Sequence, residues 1–112
     1  MAAYVPAAGD LIWLTFDPQA GHEQAGRRPA LVLSPASYNQ KTGLAVVCPV
    51  TSQVKGYPFE VLVSEACGIK GAILADQLKN LDWKSRKAEL VGRVSSASLA
   101  EVRARVAPLV GL

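Results

Sequence analysis

Hydrophobic side chains come in short runs along most of this chain, and at helical spacing only near its end. Residues 10–16 are almost continuously apolar and rich in large side chains, and they stop at Asp17-Pro18. A run of that kind, bounded by a turn signal, predicts a strand buried on most of both faces. Ala30–Ser34 reads as a second short strand closed by Pro35, and residues 34–41 are polar enough for a loop or a short helical turn. A β-branched run, Leu44–Cys48, continues past Pro49 to Val50, with the proline demoting that end to a sheet edge or a bend. Residues 51–58 form a polar connector, Phe59–Val63 a further strand, and Gly71–Gln77 another whose last residues turn polar. Asn80–Trp83 reads as a tight turn and Glu89–Val94 as a short final strand.

The period then changes. Leu99, Val102, Val106, Leu109 and Val110 recur at helical spacing, Ser98 with Glu101 has the form of a capping box, and Gly111 is a stop signal. Pro108 weakens the last turn. Short strands followed by one amphipathic helix predict a mainly β fold, a small curled sheet or open barrel covered by that helix.

Length allows one domain over 1–112, with a single core. Half the residues are hydrophobic and 19% are charged, which excludes a disordered chain, and the net charge of +3 is compatible with an anionic partner without being diagnostic of one. Cys48 and Cys67 lack metal-ligand spacing and no secretory leader is legible, so reduced thiols and a cytoplasmic location are expected. No apolar run approaches the roughly eighteen residues a membrane span requires.

Candidate chemistry concentrates in residues 21–29, a stretch with glycines at positions 21 and 26 and charge between two predicted strands. His22, Glu23 and Arg28 offer a titratable group, a base and a permanent cation; a merely solvated loop, or an Arg–Glu pair that pins it, is the alternative. Arg27 is expected to be the solvated member of its pair, because Arg28 leads directly into the strand. Thr51, Ser52 and Gln53 follow a strand end, where side chains project into a groove or simply form a sheet edge. Lys55 and Tyr57 suit a phosphate contact and base stacking, or an exposed hairpin with a half-buried ring. Asp76 and Gln77 close an apolar run as a cap or a reaching group, and Trp13 and Trp83 are assigned to core or interface. There is no Gly-rich phosphate loop, no zinc-type spacing and no nucleophile elbow, and the acidic residues form no two-metal cluster.

At these residues the chain resembles a known family. Gly9-Asp10-Leu11-Ile12-Trp13, Phe16-Asp17-Pro18, Gly21-His22-Glu23-Gln24-Ala25-Gly26 and Arg28-Pro29-Ala30-Leu31-Val32 are similar to motifs of the MazF/PemK toxin–antitoxin endoribonucleases. So are Pro49-Val50-Thr51-Ser52, Lys55-Gly56-Tyr57-Pro58-Phe59-Glu60 and Leu74-Ala75-Asp76-Gln77. The match runs in order along nearly the whole chain and looks nearest to the chromosomal MazF branch. The resemblance implies an SH3-like β-barrel of the CcdB type with short helices, assembled as a homodimer. It implies a sequence-specific, ribosome-independent RNase acting on single-stranded RNA, mRNA included, and neutralised by a MazE-like antitoxin whose C-terminal tail crosses the RNA groove.

By motif position Arg28 and Thr51 are then catalytic, and Glu23 is a catalytic or loop-positioning carboxylate, with His22 as the other candidate base. Lys55 and Gln77 contact RNA, and Gln24, Ser52, Gln53, Tyr57 and Asp76 complete the expected RNA-binding set. Two positions depart from the pattern. Leu74 stands where plasmid-borne relatives carry an arginine that works with the aspartate, and His22 stands where many chromosomal relatives carry serine. RNA brings its own nucleophile, so neither cofactor nor metal is expected. The rival readings are a gyrase poison, which in the resembling toxins needs a tryptophan near the C-terminus where this chain reads Val110-Gly111-Leu112, and a non-catalytic RNA-binding module.

Overall fold

The computed structural model describes residues 3–16, 26–64 and 68–112. Seven antiparallel strands follow one another as β1 (Asp10–Phe16), β2 (Gly26–Val32), β3 (Leu44–Thr51), β4 (Glu60–Ser64), β5 (Lys70–Leu74), β6 (Lys79–Asp82) and β7 (Glu89–Arg93). Helix α1 (Ala36–Thr42) joins β2 to β3, and α2 (Ser96–Val106) follows β7. The strands pair in the order β4-β5-β3-β2-β1-β7, with β6 added on β3. The predicted curled sheet with a covering helix is therefore the fold.

Alternation along the strands gives the sheet two apolar faces. Leu11, Leu31, Cys48, Val50, Val61, Ile73 and Ala75 pack with Val102 of α2. Ile12, Leu14, Phe16, Ala30, Val32, Ala45 and Val47 face the other way and pack around Trp83, with Tyr4 and Val5 against them. Trp83 is a core residue whose indole N–H donates to the Asn39 carbonyl at 2.9 Å, whereas Trp13 is 37% exposed on the outer surface. At the chain's entry, buried Asp10 accepts from the Tyr4 hydroxyl (2.5 Å), the Ala7 amide (3.0 Å) and Arg93 Nε (2.8 Å), tying the N-terminal segment to β1 and β7.

Several boundaries differ from those the sequence predicts, each for a tertiary reason. β2 starts at Gly26 and ends at Val32, so Arg27, Arg28 and Pro29 are strand residues; pairing with β1 (Thr15↔Arg27, Leu14↔Arg28, Trp13↔Pro29) outweighs their polarity. Asn80 and Leu81 belong to a strand, not a tight turn, because Leu44–Val47 of β3 offers an unpaired edge to β6; the turn comes after it. β5 ends at Leu74, and Asp76 and Gln77 lie on a 3₁₀ turn, Ala75–Gln77. Helix α2 begins earlier than the Ser98–Glu101 box suggests: Ser95 is the N-cap, its hydroxyl accepting from the Ser98 amide at 3.1 Å, and Glu101 instead pairs with Arg105. Leu109 and Val110 sit on a terminal 3₁₀ turn and are exposed rather than part of the packed helix face.

Pro49 marks a change of partner. β3 pairs with β2 through Ala30↔Pro49, Leu31↔Cys48 and Val32↔Val47, then with β5 through Val50↔Ile73 and Thr51↔Ala72. In the pairing described, β2 accompanies β3 as far as the proline and β5 flanks Val50 and Thr51 beyond it. On the β5 side, the three residues Ala75–Gln77 take up the offset between the β5 and β6 registers on β3.

Candidate active site

Arg28 and Thr51 come from strands that run side by side. The β2–β3 pairing runs as far as Ala30↔Pro49, and Arg28 and Thr51 each lie two residues beyond that pair on their own strand. Residues two apart on a strand point the same way, so both lie on the sheet side of Ala30 and Val47, opposite α2. On that side Leu62 of the outer strand, which shares the register partner Ala72 with Thr51, is 63% exposed, whereas Ala72 is buried. Arg28 is half-buried and Thr51 is 7% exposed. The result is a cation and a hydroxyl on the same side of two neighbouring strands.

Thr51 Oγ accepts from the Gln53 amide at 3.1 Å. A hydroxyl that accepts still carries its own proton, so the side chain remains a donor whose oxygen is held in place. Ser52 and Gln53 follow as exposed residues of the bend, and Lys55 and Tyr57 stand further along the same exposed loop. The Lys55 ammonium lies 5.9 Å from the centre of the Tyr57 ring, and Tyr57 is 61% exposed. The ring is thus exposed rather than half-buried. At the end of β5, Asp76 is exposed and Gln77 half-buried. His22, Glu23 and Gln24 lie outside the described residues; the strand ends that flank their segment are paired as Phe16↔Gly26, next to Leu14↔Arg28.

Arg27 corrects one expectation. It points to the opposite face from Arg28 and is clamped there rather than solvated: its guanidinium donates to Thr15 Oγ (3.2 Å), the Arg86 carbonyl (3.3 Å), the Lys87 carbonyl (2.7 Å) and Glu89 Oε1 (2.6 Å). Strand alternation places neighbouring arginines on opposite faces, and the Trp83–Ala88 turn happens to offer carbonyls on only one of them.

Three supporting residues escape a reading by residue type. The Glu60 carboxylate accepts from the Lys55 amide (3.1 Å) and the Gly56 amide (2.8 Å), closing the loop on itself. Arg105 of α2 donates to the Pro58 carbonyl and holds the same loop against the helix. Gly71 packs its backbone against the Thr51–Ser52 peptide. Only the last had a usable signal, an isolated glycine opening an apolar strand. Cys48, buried beneath the bend, has its thiol pushed up from 9.0 to about 12 by burial and then by the charge of Asp76, which makes it an inert core residue.

The whole arrangement superposes on solved toxins. The crystal structure of MazF (Form-I) from Deinococcus radiodurans matches with a TM-score of 0.93 and 57% identity, covering 98% of this chain and 100% of that one. MazE-MazF (Form-II) from the same organism matches with a TM-score of 0.87 and 51% identity over 98% and 99%. The fold is thus that of the MazF-type toxins. Residues 7–110 match the family described as PemK-like, MazF-like toxin of type II toxin-antitoxin system. Over 111 residues, 99% of each chain, the sequence is 49% identical to a protein named Endoribonuclease toxin MazF from Escherichia coli K12. The chain belongs to the PemK-like, MazF-like toxin family, as its motifs imply.

Proposed function

We propose that the chain is an endoribonuclease toxin that cuts single-stranded RNA, mRNA included, at specific sequences and without the ribosome. The reading is carried by the half-buried guanidinium of Arg28 and the hydroxyl of Thr51 on one side of neighbouring strands. In the reaction, the 2′-oxygen of one ribose bonds to the adjacent phosphorus while the bond from phosphorus to the 5′-oxygen breaks. The 2′-hydroxyl proton passes to Glu23 or His22, and the leaving 5′-oxygen takes a proton from water, giving a 2′,3′-cyclic phosphate and a 5′-hydroxyl. Arg28 meets the negative charge that builds on the phosphate, with a planar fork that can grip two oxygens at once. Thr51 adds a neutral donor to a non-bridging oxygen. Lys55 contacts the backbone and Tyr57 stacks on a base, while Gln24, Ser52, Gln53, Asp76 and Gln77 read base edges.

The substrate brings the nucleophile and the protein brings the charge, so cutting proceeds without a metal or cofactor. Incubating the protein with a labelled long RNA in EDTA tests this. Cutting with cyclic phosphate ends is expected, an RNA with 2′-deoxyribose at the cut site should bind and survive, and cleavage of that analogue would reject the mechanism.

The toxin acts in the cytoplasm, where its substrate is, and is neutralised there by a MazE-like antitoxin whose C-terminal tail occupies the RNA groove. Support for that partner comes from the relatives solved as MazE-MazF assemblies. Among the described residues no helix is long and apolar enough to cross a membrane. The working unit is a homodimer: a cleft of about 390 Å³ lined by Leu33, Val46, Leu78 and Val106 adjoins the exposed Val110 and Leu112, an apolar surface suited to a second copy. Sedimentation of the free toxin as a monomer at micromolar concentration would reject this assembly.

A further inference from the structure

Gly71 has a φ of +131°, a backbone conformation that residues with side chains rarely adopt. A Cβ at this position would lie 2.0 Å from the Thr51 carbonyl oxygen, 2.9 Å from the Thr51 carbonyl carbon and 3.2 Å from Ser52 Cα. All three are backbone atoms, so no rotamer change can make room. Other glycines with positive φ, Gly26, Gly43, Gly56, Gly68 and Gly111, have open space where a Cβ would stand. Gly71 is therefore set apart by close approach as well as by its φ.

We propose that Gly71 is a positioning residue for RNA cleavage: its missing side chain lets β5 press on the Thr51–Ser52 peptide and holds the Thr51 hydroxyl beside Arg28. The proposal rests on the reading of Thr51 as a donor to the reacting phosphate. The contact falls where it matters, because the Thr51–Ser52 peptide is the first of the turn that Thr51 Oγ closes onto the Gln53 amide. β5 is also anchored one residue further on, through Thr51↔Ala72. Pushing that peptide away turns and shifts the hydroxyl together with its carbonyl, while Arg28, mounted on β2 against β1, stays where it is.

The test is Gly71→Ala in the full chain, assayed on a quenched single-stranded RNA carrying a cut site mapped beforehand on a long RNA. A displacement of about 1 Å at a reacting group costs up to about 100-fold in rate, so kcat should fall by roughly 30- to 100-fold with KM changed by less than about threefold. Val102→Ala, which opens a hole in the α2-side core, serves as the control for simple destabilisation and should keep its kcat below its own melting temperature. In the Thr51→Ala background, adding Gly71→Ala should cost little more, since the group being positioned is already gone. A Gly71→Ala protein that melts earlier yet cuts as fast as Val102→Ala would overturn the proposal, as would two losses that simply multiply. If Thr51→Ala by itself cuts at the full rate, the role of Thr51 falls instead, a separate outcome read from that variant alone. Should Gly71→Ala fail to fold, Ala72→Gly loosens the same hold without overlap; a several-fold loss in kcat at constant KM is then expected, and an unchanged kcat overturns the proposal.

Discussion

Arg27 and Arg28 are neighbours in sequence and opposites in use. Arg27 spends its guanidinium on two backbone carbonyls, a threonine and a glutamate, and so fastens the turn after Trp83 to the outer face of β1 and β2. Arg28 faces the other side, two residues beyond the last β2–β3 pair, Ala30↔Pro49, as Thr51 is on β3. The same chemical group thus stands on opposite faces of one strand, and on the outer face its partners are the carbonyls, hydroxyl and carboxylate around the turn after Trp83.

The widest split between these two faces should appear on removing each arginine. Arg28→Ala is expected to lose about 2–4 kcal/mol of transition-state stabilisation, some 30- to 1,000-fold in kcat, at temperatures where the variant stays folded. Single-turnover cleavage beside a thermal melt measures both. Arg27→Ala should do the reverse, costing up to about 1 kcal/mol of stability through its surface bonds to two carbonyls and Glu89 and leaving kcat within about twofold. Equal losses of activity in the two variants would dissolve the comparison.

A smaller effect is expected at the loop. Glu60→Ala removes the acceptor for two backbone amides, so the Lys55–Tyr57 segment should lose its fixed shape. KM should rise by roughly three- to tenfold with kcat largely kept, since a hydrogen bond to a charged group is worth about 1.5 kcal/mol or more. A change confined to kcat would place that segment in the chemical step instead.

The smallest effect concerns alkaline pH and the buried groups far from the open face. The Tyr4 phenol is raised above its ordinary value of 10.0 by burial and by its hydrogen bond to Asp10, and the Cys48 thiol is pushed up to about 12 by burial. Both keep their protons in the fold at a pH where the unfolded chain releases them. The native state then binds more protons than the unfolded one, and stability must fall as pH rises. The melting temperature should hold steady up to about pH 9 and decline between pH 9 and 12. Cys48→Ala should flatten the part of that decline contributed by the thiol.

Much of this was legible along the chain. The runs at 10–16, 44–50 and 59–63 announce strands by their own composition, and the period of Leu99, Val102 and Val106 announces α2. Where a residue's state depends on a neighbour remote in sequence, composition misleads. Arg27 to Pro29 look like loop until β1 pairs with them, and Asn80 to Asp82 look like a turn until β3 offers its edge. The candidate site divides in the same way. Arg28, Thr51 and Lys55 stand out by residue type within motifs, whereas Glu60, Arg105 and Gly71 matter only through what they touch.

The amino-acid sequence by itself determined the fold class, the family, and the short roll of candidate polar residues. Periodicity, turn residues and motifs are local properties, readable without coordinates. Tertiary structure alone decided which arginine is clamped, that Arg28 and Thr51 share a side, and that β5 needs a residue without a side chain at position 71. The physical reason is strand register: a shift of one residue moves every side chain to the opposite face, and register is set by pairing between segments far apart in the chain.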